Sequence, residues 1–254
     1  MRIIAKLDVK PPYVIKPVHF EGLRKIGKSV ELVQKYYQQG ADEIVYIDIV
    51  ASLYQREILL NDIKASANQL FVPFCVGGGV RSIEDFSILF HNGADKVTLN
   101  THAVQENPQL IDDAAKIFGS QAVVINIEAK RTQENYNDTH WNCYTDCGRI
   151  SSNKNALSWA SEVQERGAGE IILQSVDKDG RQQGFDNQLI ENVISTINIP
   201  VVVASGSGSL KDIVDVATTY NPSGIAVSSL LHYNRLTILE IKQALADKGI
   251  EVSL

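Results

Sequence analysis

The sequence predicts an α/β fold, a (β/α)8 barrel made of two similar halves, and three observations carry that prediction. Short β-branched runs recur along the 254 residues and read as buried parallel strands. Helical patterns lie between them, so strand and helix alternate about eight times. The second half also echoes the first in order. Leu7-Asp8-Val9-Lys10 returns as Ile127-Glu128-Ala129-Lys130, and Gly40-Ala41-Asp42-Glu43-Ile44 as Gly167-Ala168-Gly169-Glu170-Ile171. Val72-Pro73-Phe74-Cys75-Val76 with Gly77-Gly78-Gly79 returns as Ile199-Pro200-Val201-Val202-Val203 with Ser205-Gly206-Ser207-Gly208. Val97-Thr98-Leu99-Asn100-Thr101 returns as Ile225-Ala226-Val227-Ser228-Ser229. Each half is small for a domain of its own, so a half-barrel duplication closing into one body is expected. An open doubly wound sheet would not explain the echo.

In chain order, residues 3–7 form the first strand, running into Asp8, and 11–28 are too long for an ordinary turn. A helix over 30–39 and strands over 44–47 and 74–76 follow, the last opening onto Gly77 to Gly79. A helix over 83–91 and a strand over 97–99 lead to Asn100-Thr101. Residues 122–127 form the fifth strand, ending at Glu128, and a second long segment spans 131–155. The remaining strands are 171–173, 201–204 and 224–227, with helices over 156–165, 210–218 and 236–245. Long segments after strands 1 and 5 lie on the catalytic face of a barrel, so both are expected to be loops that cover substrate.

At 44% hydrophobic residues the chain can bury one sizeable core, and residues 1–254 are expected to be a single domain. A net charge of −6 leaves no basic stripe, which argues against nucleic acid or an anionic membrane as partner. Cys75, Cys143 and Cys147 make no disulfide framework, and Cys143 and Cys147 lack the further ligands zinc needs, so neither metal nor cofactor is expected. No apolar N-terminal segment is long enough for a signal peptide or membrane span, which points to the cytoplasm.

Barrel strands end at the active-site mouth, and strands 1 and 5 face each other across it. Asp8 and Glu128 therefore end opposite strands, suited to one carboxyl donating a proton while the other removes one. An acid at a strand end can also simply cap a loop. The small-residue turns after strands 3 and 7, with Asn100-Thr101 and Ser228-Ser229 after strands 4 and 8, present backbone N–H groups and hydroxyls to an anion. Their pairing predicts two phosphate sites on opposite sides of the mouth and a long substrate phosphorylated at both ends. At the other face, Arg2, Glu43, Lys96 and Glu170 begin strands and point into the axis by alternation. Two cations and two anions can satisfy one another as a stabilising plug. They can equally form a gate for a small neutral molecule.

The chain resembles the cyclase subunit of imidazole glycerol phosphate synthase, from histidine biosynthesis. The resemblance runs nearly end to end, through Lys6-Leu7-Asp8-Val9-Lys10, Asp48-Ile49-Val50-Ala51-Ser52, Val76-Gly77-Gly78-Gly79, Asn100-Thr101, Phe118-Gly119-Ser120-Gln121, Glu128-Ala129-Lys130-Arg131, Arg166-Gly167-Ala168-Gly169-Glu170 and Asp177-Lys178-Asp179-Gly180. It implies a (β/α)8 barrel that takes ammonia through its axis from a glutaminase docked at the N-terminal face. Ammonia then converts a bisphosphorylated ribulosyl formimino carboxamide nucleotide to imidazole glycerol phosphate and an aminoimidazole carboxamide ribotide. Asp8 matches the first catalytic aspartate, and Glu128 stands where the second is expected. Lys16 lies in the first loop that holds substrate. Gly79, Asn100, Thr101, Asp179, Gly180, Gly206, Ser207, Ser228 and Ser229 match phosphate-contacting positions, and Arg2, Glu43, Lys96 and Glu170 match the ammonia gate.

Five positions depart from the family pattern. Glu128 replaces aspartate, and its extra methylene displaces the carboxyl by more than about 1 Å. Lys6 replaces cysteine, Asn126 a small apolar residue, Gln174 threonine and Ser207 glycine. A buried Lys6 needs a partner, and Asp8 and Glu128 are the nearest acids. An acid so paired stays ionised and donates protons poorly. These departures fit an alternative within the resemblance: a cyclase-like paralogue of surface-polysaccharide clusters, acting as ammonia conduit and docking module for a sugar amidotransferase.

Overall fold

Strict alternation along each apolar run separates the two sides of the sheet. On β1 (Arg2–Lys10), Ile3, Ala5, Leu7 and Val9 join the outer core under the helices, while Ile4 joins an inner cluster on the axis. The computed structural model describes residues 1–18, 21–51, 60–135 and 138–254. After β1 come β2 (Tyr13–Val18) and β3 (Glu21–Lys28), then β4 (Glu43–Asp48), β5 (Phe74–Gly77), β6 (Lys96–Leu99) and β7 (Val123–Asn135). The chain continues through β8 (Asp138–Thr145), β9 (Ile150–Asn155), β10 (Glu170–Ser175), β11 (Val201–Ala204) and β12 (Gly224–Val227).

Eight of these strands form a closed parallel barrel in the order β1-β4-β5-β6-β7-β10-β11-β12, with β12 returning to β1. The seams differ in length. β1–β4 and β7–β10, on opposite sides of the barrel, each pair over six residues, whereas β5–β6 and β6–β7 pair over three. All eight strand runs read from the sequence fall on these strands, and the five helices fall within a residue or two of Ser29–Gln38, Ile83–His91, Ala156–Glu165, Leu210–Tyr220 and Ile238–Ala246.

The two long segments are not open loops. β2 and β3 form an antiparallel hairpin on the end of β1, and β8 and β9 form another on the end of β7. The sequence presents them as loops because no sustained apolar face marks their strands: Ile150–Asn155 carries a single aliphatic residue, itself half exposed. Residues 19–20 and 136–137 of those segments lie outside the described residues.

The echo between the halves, at an offset of 127 or 128 residues, recurs in local geometry. Ser82 and Ser209 both begin helices with capping boxes, closed by Asp85 and Asp212, and each side chain accepts from the third helical N–H. A cap of this kind is worth about 1 kcal/mol. Asn100 and Ser228 share an unusual backbone, at φ −144°, ψ −98° and φ −126°, ψ −77°. Gly78 and Gly206 tolerate no side chain, because a Cβ would meet Asp48 O at 2.2 Å and Gly184 O at 2.4 Å, respectively.

Inside the barrel the layers are chemically distinct. Arg2, Glu43, Lys96 and Glu170 close the N-terminal end. Above them Ile4, Val45, Cys75, Val124, Ile172, Val202 and Ala226 make a dry band. Lys6, Asn126 and Gln174 begin the polar mouth, all buried. Among the described residues, no helix is long and apolar enough to cross a membrane.

Candidate active site

At the mouth, β1 presents Asp8 and β7 presents Glu128, both buried. Their surroundings differ. Lys6 Nζ donates to Asp8 Oδ1, and Lys16 Nζ lies 3.9 Å from Oδ2. Lys16 comes from β2 and also donates to Asp179 Oδ1 at 2.9 Å, so four charges run in a chain from β1 to the loop after β10. Burial alone would push the Asp8 carboxyl up, but the two lysines outweigh it and hold the group below the usual carboxylate range. Burial of Glu128 meets weaker opposition, from the Gly148 N–H and Lys6, and Asp8 and Asp179 add repulsion. Its pKa rises to about 7. The two acids are thus set apart, one ionised and one poised to exchange a proton near neutrality. Beneath Asp8, Nδ1 of His232 lies 2.7 Å from the Tyr36 hydroxyl; burial and the Lys16 charge lower its pKa to about 3, so it is neutral.

The turn joining β8 and β9 reaches over this layer. Gly148 N donates to Glu128 Oε2 at 2.7 Å, Asp146 N to Thr101 Oγ1 at 3.2 Å, and the Cys147 thiol to Ile49 O at 2.8 Å. Gln105 Nε2 adds a bond to Thr145 Oγ1 at 2.5 Å. Asp146, Cys147 and Gly148 are all left-handed, at φ 50°, 60° and 69°. For the two non-glycine residues this costs on the order of 1–2 kcal/mol each, so these anchors are what keep the turn in place. Sequence reasoning missed this element. The signal available was Cys147-Gly148 inside a long segment after a strand that ends in an acid.

The predicted phosphate positions fall into two groups of different shape. Gly79, Asn100 and Thr101 line an open cleft of about 400 Å³ together with Glu128, Asn126, Thr98 and Cys147. Three buried polar atoms of its lining residues have no partner among the described residues: Thr98 Oγ1, Asn100 Oδ1 and Asn126 Oδ1. Across the mouth, Asp179, Gly180, Gly206, Ser207, Ser228 and Ser229 enclose only about 20 Å³ with Lys6, Lys16 and Gln182, room for about one water. The two groups lie on opposite sides of the mouth; the second is narrow inside, and Lys16, Gly180, Gln182 and Ser229 also border an outer cleft of about 260 Å³ with Arg24, Tyr233 and Arg235. Asp8 does not line the open cleft.

At the opposite end, Arg2 donates to Glu43 at 2.6 Å and to Glu170, and Lys96 donates to the same two acids at 2.9 and 2.8 Å. All four predicted charges meet in one closed ring. Burial is the largest influence on both acids, and it raises Glu43, whereas at Glu170 the bond from Arg2 and the Lys96 charge prevail and lower it.

A closed parallel barrel with opposed acids at the strand C-termini and small-residue turns beside them defines the class: a (β/α)8 barrel, the architecture in which active sites sit at that end of the strands. The family described as Histidine biosynthesis protein matches residues 2–237. Imidazole glycerol phosphate synthase subunit HisF of Helicobacter hepaticus is 43% identical over 253 residues, covering 100% of this chain and 98% of the relative. The subunit of the same name from Thermococcus onnurineus is also 43% identical with the same coverage, and that of Methanopyrus kandleri is 42% identical over 265 residues, covering 99% and 97%. The chain belongs to the histidine biosynthesis protein family, and these three relatives, matched over nearly their whole length, are HisF subunits of imidazole glycerol phosphate synthase.

Proposed function

We propose that this chain is a cyclase subunit of imidazole glycerol phosphate synthase, a cytoplasmic single-domain barrel that works with a glutaminase docked at its N-terminal face. Ammonia enters through the ring of Arg2, Glu43, Lys96 and Glu170, crosses the dry band and meets the bisphosphorylated ribulosyl formimino carboxamide nucleotide at the mouth. The products are imidazole glycerol phosphate and an aminoimidazole carboxamide ribotide. The observation that carries the reading is the pair of buried acids ending opposite strands above one axis, Asp8 bonded by Lys6 and Glu128 by Gly148, in surroundings that push their pKa values apart. Asp8, kept ionised, stabilises developing positive charge and accepts a proton; Glu128 donates one. Gly79, Asn100 and Thr101 hold one phosphate at the open cleft. Asp179, Gly180, Gly206, Ser207, Ser228 and Ser229 hold the other phosphate once Lys16 leaves Asp179 to meet it.

With ammonium salts and the nucleotide, the purified protein is expected to turn over, and Asp8→Asn is expected to abolish turnover; assay of imidazole glycerol phosphate checks both. The narrow second pocket and the Lys6–Asp8 pair favour one other reading, the paralogue that conducts ammonia to a sugar amidotransferase. Absence of turnover with glutaminase binding retained would select it.

A further inference from the structure

The departure at position 128 and the turn above it belong together. Glu128 Oε2 accepts from Gly148 N at 2.7 Å, while Oε1 lies 3.4 Å from Asn126 Nδ2 on the cleft wall. An aspartate at this position would end about one C–C bond short, ~1.5 Å, and lose the Gly148 donor. The turn in its own place is strained at Asp146 and Cys147 and is anchored by three further bonds, to Thr101, Ile49 and Gln105. Those bonds hold the turn independently of Glu128, and the N–H it presents there is met by the longer acid. Together they fix one oxygen of the acid and turn the other toward the cleft.

We infer that the Thr145–Gly148 turn is a positioning element for Glu128, with Gly148 as the donor and Cys147 as its anchor, and that the longer acid is matched to this turn. The inference rests on the proton-transfer role proposed for Glu128. The carboxyl is faced by Lys6 and Asp8 from β1, Asp179 from the loop after β10 and Cys147 from the turn; Gly148 N–H favours its ionised form. Freeing the turn therefore moves the titration of Glu128 to higher pH.

The test uses the full-length protein labelled with carboxyl-¹³C glutamate, with Glu128→Gln identifying the resonance. The resonance is expected to titrate near pH 7 in the unmodified chain. Cys147→Ala removes the bond to Ile49 O but keeps the strained conformation. It is expected to shift the titration upward and lower kcat several-fold with little change in KM. Cys147→Ser restores a donor and is expected to restore both. Glu128→Asp is expected to lower kcat, on the order of ten- to a hundredfold, since the shorter acid loses its support. An unmoved titration in Cys147→Ala, or a higher kcat in Glu128→Asp, overturns the inference. A shifted titration without turnover in any variant keeps the turn's role and overturns the cyclase reading instead. Thermal melts of each variant separate these outcomes from loss of fold.

Discussion

The barrel axis carries four charges at each end, two cations and two anions, and the two sets meet water differently. In the N-terminal ring the cations reach solvent, with side chains 30% exposed at Arg2 and 18% at Lys96, and each acid touches both cations. At the mouth Lys6, Asp8, Lys16 and Asp179 are each 4% exposed or less and form an open chain, in which each end group has one partner. Charge count alone says nothing of this. Partial hydration lowers the cost of separating a ring cation from its acids. The dehydrated mouth chain has no such alternative and holds its geometry until something of like charge replaces a member.

The comparison can be broken first at the mouth. Lys6→Ala leaves Asp8 buried with only Lys16 at 3.9 Å, and is expected to cost about 3–5 kcal/mol, read from the urea midpoint at unchanged slope. A loss close to zero would mean that water reaches Asp8.

Glu128 sharpens the same end. Its folded pKa lies above the unfolded value, so the stability it contributes is complete below about pH 4.5 and is lost as pH rises through about 7. Of order 3 kcal/mol is at stake, and Glu128→Gln is expected to remove that decline from a stability–pH series. Asp8, shifted downward, acts oppositely: its contribution is present above the unfolded pKa and is lost as pH falls through the lower folded value.

At the ring, Lys96→Ala is expected to cost less, about 1–2 kcal/mol, because Arg2 still contacts both acids and the site is partly wet. As the baseline for both ends, Lys211→Ala breaks a fully exposed pair with Asp215 and is expected to leave the urea midpoint unmoved.

Much of this was legible in the sequence because it follows from period. Alternation sends Arg2, Ile4, Lys6 and Asp8 to one side of β1, so the ring, the band and the acids follow from a single strand and its echo. The sequence also required a partner for Lys6; only coordinates show that Asp8, rather than Glu128, is that partner. Lys16 lies buried on β2 within a segment that the sequence presents as a loop, because the buried run Val14, Ile15 and Lys16 is short, does not alternate and ends on a charge. The Cys147 turn was illegible for a different reason. Its position depends on a hydrogen bond between residues 20 apart and on left-handed backbone that two non-glycine residues rarely adopt. Nor could composition reveal that one small-residue turn borders a wide cleft while the space inside its counterpart is narrow.

The uneven seams have a mechanical consequence. β6 is stitched to each neighbour over three residues, whereas β1–β4 and β7–β10 are stitched over six. If any stave of the barrel breathes, β6 is the one held by fewest bonds. It starts on Lys96 and stops one residue before Asn100. A single fluctuation there would slacken the entrance and the open cleft together, linking the two ends without any message passing through the dry band.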